Sequence, residues 1–439
     1  MRIIPTVNFS YQPSAIRYNT TGNPLAVDNR GLTCDKFHRS APVTSNISFQ
    51  SSVSEGQFLR GLSGIHDPYS NVIILNNKEM NQIYQDLSKT RSSRDKIRYL
   101  SQYTQSMLPV EKTVFCMLET GLKQNRHASL TEILTDNKDS ALTELIQKQK
   151  SIFKKMNKLS SNLSDENKMK VNSIISKAES QILLPHEDKN HFKKTRIMND
   201  LVRISQYKTL DIIEERINEL PESEKEPALE RLYDTQRIFE NNPYNVNVKG
   251  KTPLERVLEL QAEFAPDTLD EPNELEPIID LANTLPTSKD SVAAFIVEMS
   301  DKDDKTIAKR LISESLGTIE HIVPESKGGV NEAYNFIFVT KSRNEERSNT
   351  PMKYFMRKYP NIPQYCKQYM EDIMKAGQSS KLRGHEWYPY VIKETMHEEM
   401  GVDVNISSYR ISPQKAFKSF PVRLKEKYPQ FNKYFTNAQ

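Results

Sequence analysis

The chain has 439 residues, three cysteines and a formal net charge of +4, with 27% charged and 36% hydrophobic residues. Cys34, Cys116 and Cys366 are odd in number and far apart in sequence. This pattern excludes a disulfide framework and a four-cysteine zinc site, and it favours a reducing compartment. No apolar run approaches 18 residues, so we expect no membrane-spanning helix and no membrane partner. The length leaves room for two or three domains.

Charge is distributed unevenly along the chain. Residues 205–300 contain 9 Lys and Arg against 21 Asp and Glu, a net of −12, whereas residues 305–439 contain 22 against 14, a net of +8. A basic C-terminal part favours a polyanionic partner, because neutralising phosphates supplies most non-specific affinity for nucleic acid. The acidic middle either repels nucleic acid, covers the basic face, or consists simply of solvated helix faces.

Residues 1–70 are rich in Ser, Asn, Thr, Pro and Gly and poor in helical periodicity. This composition predicts a largely disordered arm. The first residues lack the continuous apolar stretch of an ordinary secretory signal. We therefore expect a cytoplasmic protein, and we keep open the alternative that the arm is the export signal of a secreted effector.

Residues 75–265 predict a helical domain that can dock a protein partner. Apolar residues at helical spacing run from Leu142 to Leu159 and again from Val171 to Ile182, which predicts a long antiparallel helical hairpin. Ser129 and Glu132 predict a capping box. Residues 266–286 are acidic and contain several prolines, which is typical of a linker, so we place a C-terminal domain at residues 287–439.

Residues 318–349 are the only stretch in which chemically active side chains follow one another in the order that a specific reaction needs. The β-branched run 318–323 predicts a strand, and the glycine pair within 326–329 predicts a turn. Residues 335–340 predict a second strand, followed by a polar helix that begins near Thr340 or Ser342. The local prediction is strand, loop, strand, helix. We expect two preceding helices, around 291–297 and 307–316, to pack on this unit.

The polar residues of this stretch favour phosphodiester hydrolysis. Glu320 offers a carboxylate and Asn344 an amide oxygen, ligands that suit Mg²⁺ or Mn²⁺ better than zinc. His321 carries an imidazole that titrates near neutral pH and can deprotonate an attacking water. Arg347 shares the helix face of Asn344, where it can hold a phosphate oxygen.

The order of these residues resembles the HNH endonuclease family, whose fold is called ββα-metal or His-Me. The resemblance lies in Glu320-His321-Ile322-Val323-Pro324, the glycine loop, Asn335, and Asn344 followed by Arg347. The spacings of 14 residues from His321 to Asn335 and 9 from Asn335 to Asn344 are similar to those in the HNH domain of RNA-guided CRISPR nucleases. The resemblance implies that Glu320 and Asn344 hold a divalent metal and that His321 is the general base. It also implies that Asn335 braces the loop that holds the His321 strand.

The stretch departs from the family pattern in three ways. Ser348 stands where many members have glycine, Glu320 replaces the more usual Asp or His, and no CxxC pair flanks the motif, so we expect no structural zinc. Neighbouring residues of a regular strand also point to opposite faces. Glu320 and His321 therefore converge only if the strand bends or ends there, which Pro324 favours.

Basic residues within and after the motif are candidate contacts to nucleic acid. They are Lys327, Lys341, Arg343, Lys353, Arg357 and Lys358. Aromatic residues interleave with basic ones over 352–374 and again over 415–433. These aromatics either stack on exposed bases or pack inward from amphipathic helices.

Taken together, these patterns predict a mainly α-helical protein with a small α+β unit, namely a helical middle region and a C-terminal ββα-metal, HNH-like domain. The predicted function is metal-dependent HNH-type cleavage of phosphodiester bonds, in DNA rather than RNA. One alternative is a catalytically inactive nucleic-acid-binding or scaffold protein. An exported DNase toxin is an alternative setting for the same chemistry.

Overall fold

The fold is known from a computed structural model, which describes residues 56–184, 190–241, 248, 253–270, 274–323, 329–347, 352–422, 425 and 429–434. Within these ranges the chain is mainly helical and contains one two-stranded sheet, which confirms the predicted mainly-α class. No helix of the described ranges is both long and apolar enough to cross a membrane. Residues 1–55 of the predicted arm, residues 326–328 of the predicted turn and Ser348 lie outside the described residues.

The chain forms two compact units. One unit contains residues 148–285, and we call it the inserted unit. The other joins the described residues before 148 to those after 285, and we call it the discontinuous unit. The predicted domains, at 75–265 and 287–439, do not follow this division, because helices before residue 148 group with the C-terminal part of the chain.

The discontinuous unit begins with residues that were assigned to the disordered arm. Residues 56–60 are helical, and His66 forms an antiparallel bridge with Ile73, which closes a short hairpin. Leu59, Leu62 and Ile65 are buried in the same core as the sheet. The arm prediction is therefore wrong for residues 56–70, where scattered apolar residues in a polar sequence are enough to anchor the segment.

Four helices follow the hairpin, and they are α1 (Asn77–Lys89), α2 (Ser93–Leu100), α3 (Pro109–Gln124) and α4 (Leu130–Asp136). Helix α1 begins with a capping box formed by Asn76 and Glu79. The predicted capping box of Ser129 and Glu132 is confirmed at the start of α4. In each box a side-chain oxygen and a carboxylate satisfy backbone N–H groups that the first turn leaves without partners.

The inserted unit consists of helices joined by turns over most of its described residues. Its helices are α5 (Lys138–Ser160), which begins in the discontinuous unit, α6 (Asp165–Gln181), α7 (Lys194–Asn218), α8 (Glu222–Asn241), α9 (Pro253–Phe264) and α10 (Glu276–Asn283). The helices predicted around residues 142–159 and 171–182 are confirmed as α5 and α6. The linker predicted at 266–286 is not confirmed. It contains a 3₁₀ helix and α10, which packs on α7 through the buried residues Ile278, Ile279 and Ala282.

The C-terminal part of the discontinuous unit carries the sheet. Its elements are α11 (Val292–Met299), α12 (Asp304–Ser313), β1 (Gly317–His321), β2 (Phe336–Thr340), α13 (Lys341–Arg347), α14 (Met352–Lys358), α15 (Ile362–Gln378), α16 (Tyr388–Met400) and α17 (Pro413–Ala416). Helices α11 and α12 pack on α1–α4, with Phe295, Ile307 and Leu311 buried among them. We expected these helices to pack on the sheet, and their main packing is elsewhere. Their buried residues meet apolar faces of the N-terminal helices.

The sheet lies in a second core of the same unit. Strand β2 is buried along its whole length, and its core neighbours come from the 59–74 segment and from α14–α16. Strand β1 begins at Gly317, where an added Cβ would lie 2.0 Å from the Phe338 ring. Glycine at this position thus allows the close approach of β1 to Phe338. Gly317 N–H also donates to the Leu75 carbonyl at 2.8 Å, which ties the strand to the N-terminal segment.

Candidate functional site

The stretch singled out from the sequence folds as strand, loop, strand, helix. Strands β1 and β2 are antiparallel, with Glu320 opposite Ile337 and His321 opposite Phe336. Helix α13 follows β2 without an intervening loop, since β2 ends at Thr340 and the helix begins at Lys341. The Asn344 and Arg347 side chains, three residues apart on one helix face, both contact β1. The four predicted elements are thus present in the predicted order.

Asn335 fastens the loop that leaves β1. Its side-chain Oδ1 accepts from Val323 N–H at 2.8 Å, and its Nδ2 donates to the carbonyls of Val323 and Val330 at 2.9 and 3.0 Å. Its own carbonyl accepts from Ile322 N–H at 2.8 Å. Asn335 is 2% exposed. Both ends of the loop are therefore held by one buried amide, the position that the resemblance assigns to a brace.

His321 is the last residue of β1 and is half-buried. Its Nε2 lies 2.6 Å from Oδ1 of Asn331, and its ring packs edge-on against Phe336 with centroids 4.7 Å apart. An amide oxygen only accepts hydrogen bonds. Nε2 therefore carries the hydrogen in this arrangement, which makes Nδ1 the basic atom of the neutral imidazole.

The Glu320 and His321 side chains have different partners. Its carboxylate is buried and forms an ion pair with the Nη1 group of Arg347. The same guanidinium donates to the carbonyls of His321 and Ile322, each at 2.6 Å. Burial raises the pKa of Glu320 to about 7, and the Arg347 charge opposes that shift. Adjacent strand residues thus keep opposite directions.

Arg347 is fully buried, with 0% exposure. The expected contact of this guanidinium with a substrate phosphate does not fit this arrangement, because its two Nη groups donate to Glu320 and to two carbonyls of the strand end. In the structure, Arg347 joins the last turn of α13 to the end of β1. Arg347 takes this position because the buried carboxylate of Glu320 requires a compensating charge in a low-dielectric interior.

The side chain of Asn344 is held in place by hydrogen bonds that its Nδ2 group donates. Its Nδ2 donates to Oγ1 of Thr318 at 2.9 Å and to the carbonyl of Ile319 at 3.2 Å. The amide oxygen is directed away from these partners and makes no hydrogen bond with a described residue. An amide oxygen held in this way fits a hard cation such as Mg²⁺.

The two expected metal ligands do not meet at one point through the described contacts. Asn344 fits a cation, whereas Glu320 does not fit one while it is paired with Arg347, because the guanidinium already occupies the carboxylate. Across the described ranges no group of three His, Cys, Asp or Glu side chains is placed to hold a metal. The predicted Glu320–Asn344 ligand pair therefore stays a prediction.

The candidate nucleic-acid contacts differ in what they touch. The Arg343 guanidinium pairs with Glu346 and lies 4.5 Å from the centre of the Tyr359 ring, so it supports α13. Lys358 Nζ lies 2.6 Å from Glu346, and Lys341 lies 3.8 Å from Glu345. Arg357 is exposed. Lys327 and the side chain of Lys353 lie outside the described residues.

Most of the C-terminal aromatic residues face inward. Phe355, Tyr369, Phe417, Phe420 and Phe431 are all buried in the core that contains the sheet. Their burial favours the amphipathic-helix interpretation over a surface that stacks on bases. Among the described basic residues of α14 and α15, Arg357, Lys358, Lys367 and Lys375 are exposed, as expected for helices with one apolar stripe.

Two residues of the site were missed from the sequence. Asn331, which holds His321, lies in a loop whose polar residues carry no periodic signal. Asp67 was assigned to the disordered arm, yet its carboxylate is buried and accepts from Thr340 Oγ1 at 2.6 Å where β2 ends. The Asp67-Pro68 turn sequence was the available signal. Its partner lies 273 residues away, which local patterns do not report.

Searches against protein-family models, curated proteins and solved structures return no match to this chain.

Proposed function

We propose that the β1–β2–α13 unit hydrolyses phosphodiester bonds in nucleic acid, with DNA as the preferred substrate and His321 as the general base. The observation that carries the proposal is the position of His321. It ends β1, and its ring is held by Asn331 and Phe336. Asn335, which fixes both ends of the adjoining loop, supports the same interpretation.

The proposal includes a divalent cation, Mg²⁺ or Mn²⁺, held through Oδ1 of Asn344. When bound, such an ion supplies charge stabilisation at the phosphate. In this proposal Glu320 keeps its ion pair with Arg347 and takes no part in the hydrolysis reaction. The residues of the chain then have three tasks: His321 accepts the proton of water, Asn331 orients the imidazole, and Asn335 keeps the strand end in place.

Cleavage of supercoiled plasmid DNA and of an RNA transcript tests the proposal. Purified protein is incubated with Mg²⁺, with Mn²⁺ or with EDTA, beside the His321→Ala variant. We expect nicking of plasmid that requires the cation and that His321→Ala lowers by at least about 100-fold, the usual contribution of a general base. His397→Ala is the matched control, since His397 is an exposed histidine of the same unit, paired with Asp403. Equal nicking rates for wild type and His321→Ala would contradict the assignment of the base.

A second candidate function is nucleic-acid binding without cleavage. The buried Glu320–Arg347 pair favours it, because the carboxylate expected to bind metal is occupied. Filter retention of labelled DNA in EDTA, together with absence of nicking under every metal condition, would select this function. Metal-dependent nicking that His321→Ala abolishes would reject it.

A further inference from the structure

We propose that a cleft between the 66–73 hairpin and helix α3 binds a phosphate-bearing ligand of nucleotide size. The cleft has a volume of about 820 Å³ and is lined by His66, Asn71, Gln105, Lys112 and Tyr365, among others. This volume is typical of small-molecule sites. None of its lining residues belongs to β1, β2 or α13. The proposal is thus independent of the function assigned to His321.

The imidazole of His66 is held in a fixed orientation at the wall of this cleft. Oδ2 of Asp372 accepts from the backbone N–H of His66 at 3.0 Å and lies 2.6 Å from its Nδ1. The Asp372 side chain is only 8% exposed, and Gln368 Nε2 donates to its other oxygen at 3.2 Å. A carboxylate accepts hydrogen bonds, so Nδ1 carries the hydrogen. Nε2 makes no hydrogen bond with a described residue and is the ring atom left for a ligand.

The charge of the lining favours an anion. Lys112 is exposed and forms no ion pair within the described part of the chain. No Asp or Glu belongs to the lining. Glu111, beside Lys112, is turned away from the cleft and pairs with Arg310 at 2.6 Å. A lysine ammonium without a neighbouring carboxylate is a typical contact for phosphate.

Helix α3 adds its positive end to the same place. The helix begins at Pro109, and Leu108 at its N-cap provides no side-chain hydrogen bond to the first turn. Pro109, Lys112 and Thr113 line the cleft from one face of this turn. Pro109 has no N–H, and the Glu111 carboxylate already accepts the Glu111 N–H, so the helix dipole is the main contribution of this terminus. It supplements the side-chain charge rather than defines the site.

The rest of the lining suits more than a bare phosphate. Val72 and Met107, at 9% and 2% exposure, form an apolar floor, and Tyr365 offers an aromatic ring. Asn71 and Gln105 add amide groups that both donate and accept hydrogen bonds. Asn71 has a φ of 59° and is held by its N–H bond to the Asp67 carbonyl at 2.8 Å. An apolar floor, a ring and amides beside a cation match the base and the phosphate of a nucleotide.

Isothermal titration calorimetry on the full chain tests the proposal with adenosine 5′-monophosphate, adenosine and inorganic phosphate. We expect saturable binding of the nucleotide and at least about tenfold weaker binding of adenosine, because a charge-assisted contact is lost. Lys112→Gln should weaken nucleotide binding by a similar factor. Lys123→Gln, an exposed lysine at the other end of α3 that pairs with Glu119, should leave it unchanged. Both substitutions lie at exposed positions, and thermal unfolding confirms that each variant is folded.

Equal binding of the nucleotide by wild type and Lys112→Gln would overturn the proposal, as would adenosine binding as tightly as the nucleotide, or no saturable heat with any phosphate-bearing probe. A 5′-phosphorylated oligothymidylate distinguishes the source of the ligand. At least about tenfold tighter binding of the oligomer than of the mononucleotide, lost in Lys112→Gln, would indicate a nucleic-acid end in this cleft. Similar affinities would indicate a free nucleotide. Nucleotide binding depends on Lys112 and nicking depends on His321, so failure of the proposed hydrolysis and failure of this site are separate results.

Discussion

At the residue scale, the strand–loop–strand unit depends on a few buried polar side chains that have all their partners. Asn335 uses both its donor and its acceptor atoms on backbone groups of one loop. Asp67 accepts from Thr340, from Ser70 and from the backbone N–H of Tyr69. Buried polar groups of this kind specify a conformation because removing one leaves the others without partners.

Replacing Asn335 by Ala should destabilise the protein by about 2–3 kcal/mol, since backbone groups of Val323 and Val330 would lose buried partners. Chemical denaturation monitored by circular dichroism measures this free energy of unfolding. Asn405→Ala, at an exposed position with one local hydrogen bond to Ser407, is the control and should have little effect. A loss at Asn335 no larger than at Asn405 would show that the loop does not depend on this amide.

Asp67 makes stability depend on pH in a predictable direction. Burial raises the pKa of Asp67 above its usual 3.8, although hydrogen bonds from Thr340 and Tyr69 act in the opposite direction. The folded state therefore binds a proton more tightly than the unfolded state. Stability falls as pH rises from about 3.8 through the raised pKa, and then levels off.

We expect the free energy of unfolding of wild type, relative to Asp67→Asn, to decrease as pH rises from about 4 towards neutrality. Each unit of raised pKa contributes about 1.4 kcal/mol. Denaturant titrations of both proteins at several pH values measure the difference, and titrations of other groups cancel in it. A difference that increases with pH would mean that the pKa of Asp67 is lowered on folding.

At the element scale, helices α11 and α12 directly precede β1 in the chain and pack on the N-terminal helices. A buried ion pair fixes this packing: Nη1 of Arg310 on α12 lies 2.6 Å from Oε1 of Glu111 on α3. The Arg310 guanidinium also lies 5.1 Å from the centre of the Phe295 ring on α11. Glu111 is 1% exposed, so its charge depends on this one arginine and on Glu111's own backbone N–H.

Arg310→Met should lower the free energy of unfolding by about 3–5 kcal/mol at neutral pH, because the Glu111 carboxylate remains buried without its counter-charge. The loss should shrink at acidic pH, since burial already raises the pKa of Glu111 and protonation removes the charge. Thermal or chemical unfolding measures both effects. Lys123→Met on α3, which breaks an exposed pair, should leave the unfolding midpoint nearly unchanged. Equal losses for the two variants would contradict a structural role for the Arg310–Glu111 pair.

At the scale of the whole molecule, the sequence predicts local structure better than it predicts which elements pack together in one unit. The capping box at Ser129 and the order of β1, β2 and α13 follow from short-range chemistry. The Asp67–Thr340 and Leu75–Gly317 hydrogen bonds join residues more than 240 positions apart, and no periodic pattern marks them. For the same reason, the Glu320–Arg347 pair could not be predicted from the motif, which only orders the residues along the chain.

A fragment beginning at Thr287, the predicted start of the C-terminal domain, should therefore fail to fold alone. It lacks Leu59, Leu62 and Ile65, which fill the core around the sheet, and it exposes the faces of α11 and α12 that α1–α4 cover. Expressed alone, it should show no cooperative thermal transition by circular dichroism, whereas the full chain should. A cooperative transition for the fragment would mean that the C-terminal segment is an independent domain.

The interruption of the discontinuous unit by residues 148–285 has a consequence for the order of events on the ribosome. Helices α1–α4 emerge before the inserted unit. Their apolar faces stay uncovered by α11 and α12 while the inserted unit is translated. At ordinary elongation rates this delay is on the order of 10 s, far longer than collapse of a short polypeptide. The nascent N-terminal segment is thus exposed to chaperones during that interval, and the sheet forms only after β2 has been translated.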